Sequence, residues 1–92
     1  MSETVTRKFE ILNEKGLHAR ASAKLVEVVE GFDASAEIVH NGQSASADSI
    51  MGLLMLAASK GTTIDLQASG PDAGPLADAV EALVADKFGE DM

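Results

Sequence analysis

The chain has 92 residues, 46% of them hydrophobic, but 15 of those are alanine and only three are aromatic. A single domain over residues 1–92 with a small aliphatic core is therefore expected, without room for a bulky cofactor. The absence of cysteine excludes disulfides and thiol chemistry, while 15 acids against seven bases give a net charge of −8 that opposes nucleic-acid phosphates.

Residues 4–12 alternate, with Val5, Phe9 and Ile11 on one face and Thr6, Lys8 and Glu10 opposite, the pattern of a half-buried strand. Asn13 to Gly16 is a polar turn or loop. From Ala19 to Glu30 the period becomes helical, and Ser22, Leu25, Val26 and Val29 form one inward stripe. Gly31 suits a left-handed stop, over which Phe32 packs back. Residues 34–40 alternate again with Ala36 and Ile38 inward. Asn41-Gly42 is a strong hairpin signal, so residues 43–47 return antiparallel.

A short helix is predicted from Ser49 or Ile50 to Ala58, closed by Lys60-Gly61. Residues 62–68 read as a strand with Ile64, Leu66 and Ala68 inward. Gly70-Pro71-Asp72 turns the chain, and Asp72 is a candidate cap for a last helix. Leu76, Val80, Leu83, Val84 and Phe88 keep the helical period there. The order is β-α-β-β-α-β-α. Four strands with polar outer faces imply an α+β sandwich, a four-stranded antiparallel sheet with three helices on one face.

Charge is uneven along this order. Residues 1–24 hold five bases against three acids, whereas the other 68 residues hold two bases against twelve acids. An anion is therefore expected to meet the protein near residues 15–24. His18 sits there, where a loop enters a helix. The helix start offers unpaired N–H groups and partial positive charge. A neutral imidazole there keeps a lone pair and can act as a nucleophile. Arg20, two residues on, carries a planar fork that fits phosphate oxygens. The plainer role for His18 is as a helix cap. His40, beside the hairpin turn, reads as a solvated surface residue.

Gly16-Leu17-His18-Ala19-Arg20 resembles the active-site motif of HPr, the histidine phosphocarrier of the bacterial phosphotransferase system. The resemblance extends through Asn41–Met51, similar to that family's hairpin and regulatory-serine segment, and through Lys60-Gly61-Thr62 at the last strand. It implies an open-faced β-sandwich in which His18 accepts phosphate from phosphorylated enzyme I and passes it to an EIIA-type protein. Arg20 steadies the phosphate. Such a protein is a carrier and a substrate of enzyme I, not an enzyme itself.

The resemblance also makes Ser49 the counterpart of the serine that a dedicated HPr kinase phosphorylates in many bacteria. Structurally, Ser49 or Asp48 caps the short helix in any case. Leu17, Lys24, Ile50, Met51 and Leu54 match the docking surface, while Leu53 and Leu56 read as core. Ala21 stands where many sugar-branch members have proline, and Gln43, Asp48 and Gly52 lie where many carry lysines. The run Asp48–Leu56 and the tail Phe88-Gly89-Glu90-Asp91 are more similar to the nitrogen-related branch, often called NPr. A sugar-branch carrier is the alternative.

Asp48-Ser49-Ile50 is also similar to the Asp-Ser-Leu attachment site of acyl carrier proteins. That fold is all-helical, however, and the period-two segments oppose it. A small-molecule-sensing module is a second rival, without a recognisable ligand site. Two histidines 22 positions apart, with no cysteine, do not make a metal site. No cofactor is expected, nor a nucleotide-binding loop. No apolar run approaches the ~18 residues of a membrane span, and Met1-Ser2-Glu3-Thr4 lacks the basic and apolar parts of a signal peptide. The expected protein is a cytoplasmic monomer that binds neither membrane nor nucleic acid.

Overall fold

A computed structural model describes residues 3–90. Its elements are β1 (Glu3–Glu10), α1 (Ala19–Glu30), β2 (Ser35–His40), β3 (Gln43–Ser46), α2 (Ile50–Met55), β4 (Thr63–Gly70), α3 (Ala73–Ala85) and a 3-10 turn, Lys87–Gly89. The strands form one antiparallel sheet in the order β1-β4-β2-β3, with Phe9 opposite Ile64 and Ile38 opposite Leu66. This is the two-layer order that the alternating and helical periods predict. The sheet excludes an all-helical acyl carrier fold.

The core lies between the sheet and the helices. Phe9, Ile38, Ile64 and Leu66 from the strands meet Leu25, Val29, Leu53, Leu76 and Val80 from the helices, all buried. Fully burying each aliphatic side chain contributes about 1.5–3 kcal/mol. Arg7 is on the same side of β1 as Phe9, but at the sheet edge, where it pairs with Asp78 at 2.7 Å and Glu81 at 2.8 Å on α3. The β2–β3 turn has positive φ at both Asn41 (51°) and Gly42 (78°), as a two-residue hairpin of this twist requires.

Several expectations need correction. Gly31 is not left-handed: its φ is −78°, and the last turn of α1 closes with Gly31 N–H on the Val28 carbonyl at 3.1 Å and Phe32 N–H on the Val29 carbonyl at 3.2 Å. Helix α2 stops at Met55 rather than Ala58, because Ala57 turns to φ 53° and Ala58 accepts a bond from Leu17 N–H at 2.9 Å. Asp72 makes no side-chain cap on α3; it accepts instead from Asp33 N–H at 2.9 Å, tying the α1–β2 loop to the α3 entry. Phe88 lies beyond the helix, in the 3-10 turn, yet is 1% exposed.

His40 is buried rather than solvated, at 7% exposure. The alternation that turns Ala36 and Ile38 inward carries His40 inward as well. Its Nδ1–H donates to the Thr63 carbonyl at 3.1 Å, leaving Nε2 to accept from Asn41 at 3.4 Å.

Gly16 holds the loop before α1 against the segment after α2. Its φ is +62°, and a Cβ there would stand 2.3 Å from the Ala58 carbonyl oxygen and 2.9 Å from Ser59 Cα, both backbone. Gly16→Ala should therefore cost about 2–5 kcal/mol, from left-handed strain plus overpacking. Urea unfolding measures this; a change under about 1 kcal/mol would mean the loop packs differently.

Candidate functional site

The loop Asn13–Leu17 is fixed from both ends. The Asn13 carbonyl accepts from Gly16 N–H at 3.1 Å, and Asn13 Nδ2 donates to the Gly16 carbonyl at 2.8 Å. Leu17 N–H reaches Ala58, and Ser22 Oγ donates to the Leu17 carbonyl at 3.2 Å. This anchoring delivers His18 to the N-cap of α1 in an extended conformation, φ −79° and ψ −176°. Cap and candidate nucleophile are thus the same residue.

His18 Nδ1 accepts from Arg20 N–H at 3.3 Å, so its lone pair is directed at the helix start. The opposite ring nitrogen, Nε2, lies against the Glu90 carboxylate. A carboxylate accepts, so Nε2 carries the proton. The two histidines therefore hold opposite tautomers. At His40 the Nδ1 proton is committed to a carbonyl inside the fold; at His18, a quarter exposed, Nδ1 is the basic atom at the surface.

Arg20 lies exposed in the first turn of α1. Lys24 is one turn further on, half-buried, and its Nζ donates to the Phe88 carbonyl at 2.6 Å. That ammonium is occupied by the C-terminal segment rather than presented as part of a docking face. Leu17 also departs from its expected place on that face: at 3% exposure its side chain belongs to the core. Its backbone neighbour His18 is presented, and the inward register of the loop turns Leu17 away.

Ser49 is the N-cap of α2. Its Oγ accepts from Gly52 N–H at 3.0 Å, while Asp48 accepts from Ser46 Oγ at 2.6 Å. On α2, Ile50 is 39% and Met51 70% exposed, Leu54 is half-buried, and Leu53 is buried with Leu56 beside it. Met55, at 76% exposure, extends the same apolar surface.

Sequence reasoning missed Asn13 and Glu90. Asn13 is fully buried, and Glu90 accepts from its Nδ2 at 2.8 Å while also meeting His18. Desolvation pushes the Glu90 carboxyl up, but hydrogen bonds from Asn13 and His18, with the charge that the His18 ring carries when protonated and that of Lys15, carry it below the usual range. The acidic tail hinted at Glu90, although nothing local places it 72 positions away against His18. Asp91, the end of that run, lies outside the described residues. Among the described residues, no group of three or more histidines and carboxylates is arranged to hold a metal. No helix among the described residues is long and apolar enough to cross a membrane.

A family profile described as "PTS HPr component phosphorylation site" matches residues 5–86. Phosphocarrier protein HPr of Cupriavidus necator is 48% identical over 80 residues, covering 87% of this chain and 90% of the relative. Phosphocarrier protein NPr of Shewanella violacea is also 48% identical, over 84 residues, covering 91% and 92%. The crystal structure of HPr-C-His from Thermoanaerobacter tengcongensis superposes with a TM-score of 0.88 at 34% identity, covering 98% of this chain and 99% of that one.

Proposed function

The chain belongs to the HPr family of the phosphotransferase system, and from that membership we propose that His18 accepts a phosphoryl group from phosphorylated enzyme I and passes it to an EIIA-type protein. The observation that carries this reading is the Nδ1 lone pair of His18, held at the N-terminus of α1 with the Arg20 side chain exposed beside it. Oxygen atoms of a phosphoryl group bound there would meet helix N–H groups and the Arg20 fork. The protein turns over no small substrate; it is a cytoplasmic, monomeric carrier between two partner proteins.

The nitrogen-related branch is supported by particular residues rather than overall identity, since the C. necator HPr and the S. violacea NPr are equally similar. Those residues are Ala21 in place of proline, the run Asp48–Leu56 and the acidic tail. The test is incubation with enzyme I and phosphoenolpyruvate, followed by site mapping, then transfer to nitrogen-branch and sugar-branch EIIA proteins. An acid-labile phosphate on His18 that moves faster to the nitrogen-branch protein is expected. A pantetheine adduct on Ser49, or phosphate elsewhere, would overturn the reading.

Partners dock on the α2 face through Ile50, Met51 and Leu54, with Met55 added by its exposure. Exposed methionines suit a surface that accepts more than one partner. Ser49 stands at the edge of this patch and is the site on which an HPr kinase would act. Ser49→Asp should keep the helix capped, because aspartate caps as well as serine, and should weaken binding of enzyme I. The effect should shrink with salt, since exposed charges are screened over ~8 Å at physiological ionic strength. Ser49→Ala, which loses the bond to Gly52, should cost about 0.5–2 kcal/mol of stability with transfer unchanged. Transfer kinetics at two salt concentrations decide it: an Asp variant equal to wild type at low salt removes Ser49 from regulation by charge.

A further inference from the structure

The C-terminal segment is built into the site. Phe88 is buried in the core, its carbonyl accepts from Lys24 Nζ, and Gly89 follows at φ 77°. A Cβ at Gly89 would stand 2.9 Å from that same Lys24 Nζ, so a larger residue would disturb the tether. Glu90 then has one oxygen on Asn13 Nδ2 and the other on His18 Nε2. The Asn13 amide cannot turn over, because both groups facing its Nδ2, the Gly16 carbonyl and the Glu90 carboxylate, are acceptors. Its buried Oδ1 has no partner among the described residues, a cost borne to keep the donor aimed at Glu90.

We infer that Glu90 is a positioning residue for His18: its carboxylate, oriented by Asn13, keeps the imidazole proton on Nε2 and the lone pair on Nδ1, and offsets the charge that the ring acquires on phosphorylation. This rests on His18 being the phosphoryl acceptor. In the step, the Nδ1 lone pair forms the bond to phosphorus as the bond from phosphorus to the protein-bound donor breaks, its electron pair staying on the donor. The Nε2 proton does not move. The ring therefore becomes cationic with its N–H on the Glu90 carboxylate, and reversal toward the acceptor protein removes that charge again. The lowered carboxyl of Glu90 agrees with an anion kept in place across this cycle. Its contact is on the far ring nitrogen, so the carboxylate does not occupy the Nδ1 side.

The test uses the full chain and three variants, Glu90→Ala, Glu90→Gln and Glu90→Asp. Nitrogen-15 NMR of the unphosphorylated proteins reads the His18 tautomer without reference to any partner. The wild type should show the Nε2–H form, and Glu90→Ala a substantial Nδ1–H population. Glu90→Gln should also shift toward Nδ1–H, since glutamine offers one acceptor where two donors converge. Glu90→Asp should recover part of the wild-type ratio. With enzyme I, the maximal rate of phosphorylation should fall about ten-fold in Glu90→Ala, with little change in the half-saturating concentration. A tautomer ratio and a maximal rate both unchanged in Glu90→Ala would overturn the inference while leaving His18 as acceptor. Phosphate mapped away from His18 in the wild type would overturn the function itself, and this role with it.

Discussion

His18→Ala should lose phosphoryl acceptance altogether while the protein stays folded. The imidazole supplies the only nucleophilic atom proposed for the step, so its removal deletes the covalent intermediate rather than slowing it. Structurally the residue is cheap to lose: it is a quarter exposed, and its one capping bond, to Arg20 N–H, is long at 3.3 Å. A cost of about 0.5–2 kcal/mol is the range for losing a cap. His40→Ala should behave in the opposite way. Its ring is buried and bonded to the Thr63 carbonyl, so truncation should destabilise by about 1–3 kcal/mol with transfer unaffected. Intact mass under native conditions after incubation with enzyme I, beside thermal melting, separates the two. Full phosphorylation of His18→Ala, or loss of transfer in a folded His40→Ala, would show that the wrong histidine has been assigned.

The same two histidines show what is legible in the sequence. Helix α1 begins and ends where its stripe of Ser22, Leu25, Val26 and Val29 predicts, because one amphipathic period dominates 12 residues. The hairpin at Asn41-Gly42 follows from one of the few residue pairings that readily tolerate positive φ twice in succession. The inward turn of His40 is legible too: the alternation through Ala36 and Ile38 extends to it, although a polar side chain at a strand end by itself suggests a solvated one. Leu17 failed for a related reason. It neighbours the site in sequence, yet its backbone is pinned to Ala58, across a loop that no local period describes.

The contacts of Asn13 and Glu90 lay beyond such reasoning. They join residues 77 positions apart through one hydrogen bond, and that juxtaposition depends on where the last helix ends. Periodicity carries α3 on toward Phe88, but the chain leaves the helix at Ala85 and takes up positive φ at Lys87, Phe88 and Gly89. Those three consecutive left-handed residues redirect the chain from the helix axis back toward the start of α1. The motif identified His18; the return of the chain supplies its neighbour.

Phe88→Ala should accordingly be among the most damaging substitutions in the protein. Phe88 is the largest of the fully buried side chains, at 1% exposure, and truncating a buried phenylalanine costs about 3–5 kcal/mol through lost transfer energy and the cavity left behind. A domain of this length has roughly 5–15 kcal/mol of stability in all, so the variant should unfold well over ten degrees below wild type, at about 4–8 °C for each kcal/mol. The damage should also reach the site. With the ring gone, the carbonyl held by Lys24 and the carboxylate on His18 lose their anchor, so the folded fraction should show the mixed His18 tautomers expected of Glu90→Ala. Phe88→Leu is the control: it keeps most of the apolar volume and should cost less than about 1.5 kcal/mol, with the tautomer preserved. Thermal melting and nitrogen-15 spectra of both variants test the two claims together. A Phe88→Ala protein that melts within a few degrees of wild type would mean that the segment after α3 is not seated in the core, and the route by which Glu90 reaches His18 would have to be abandoned.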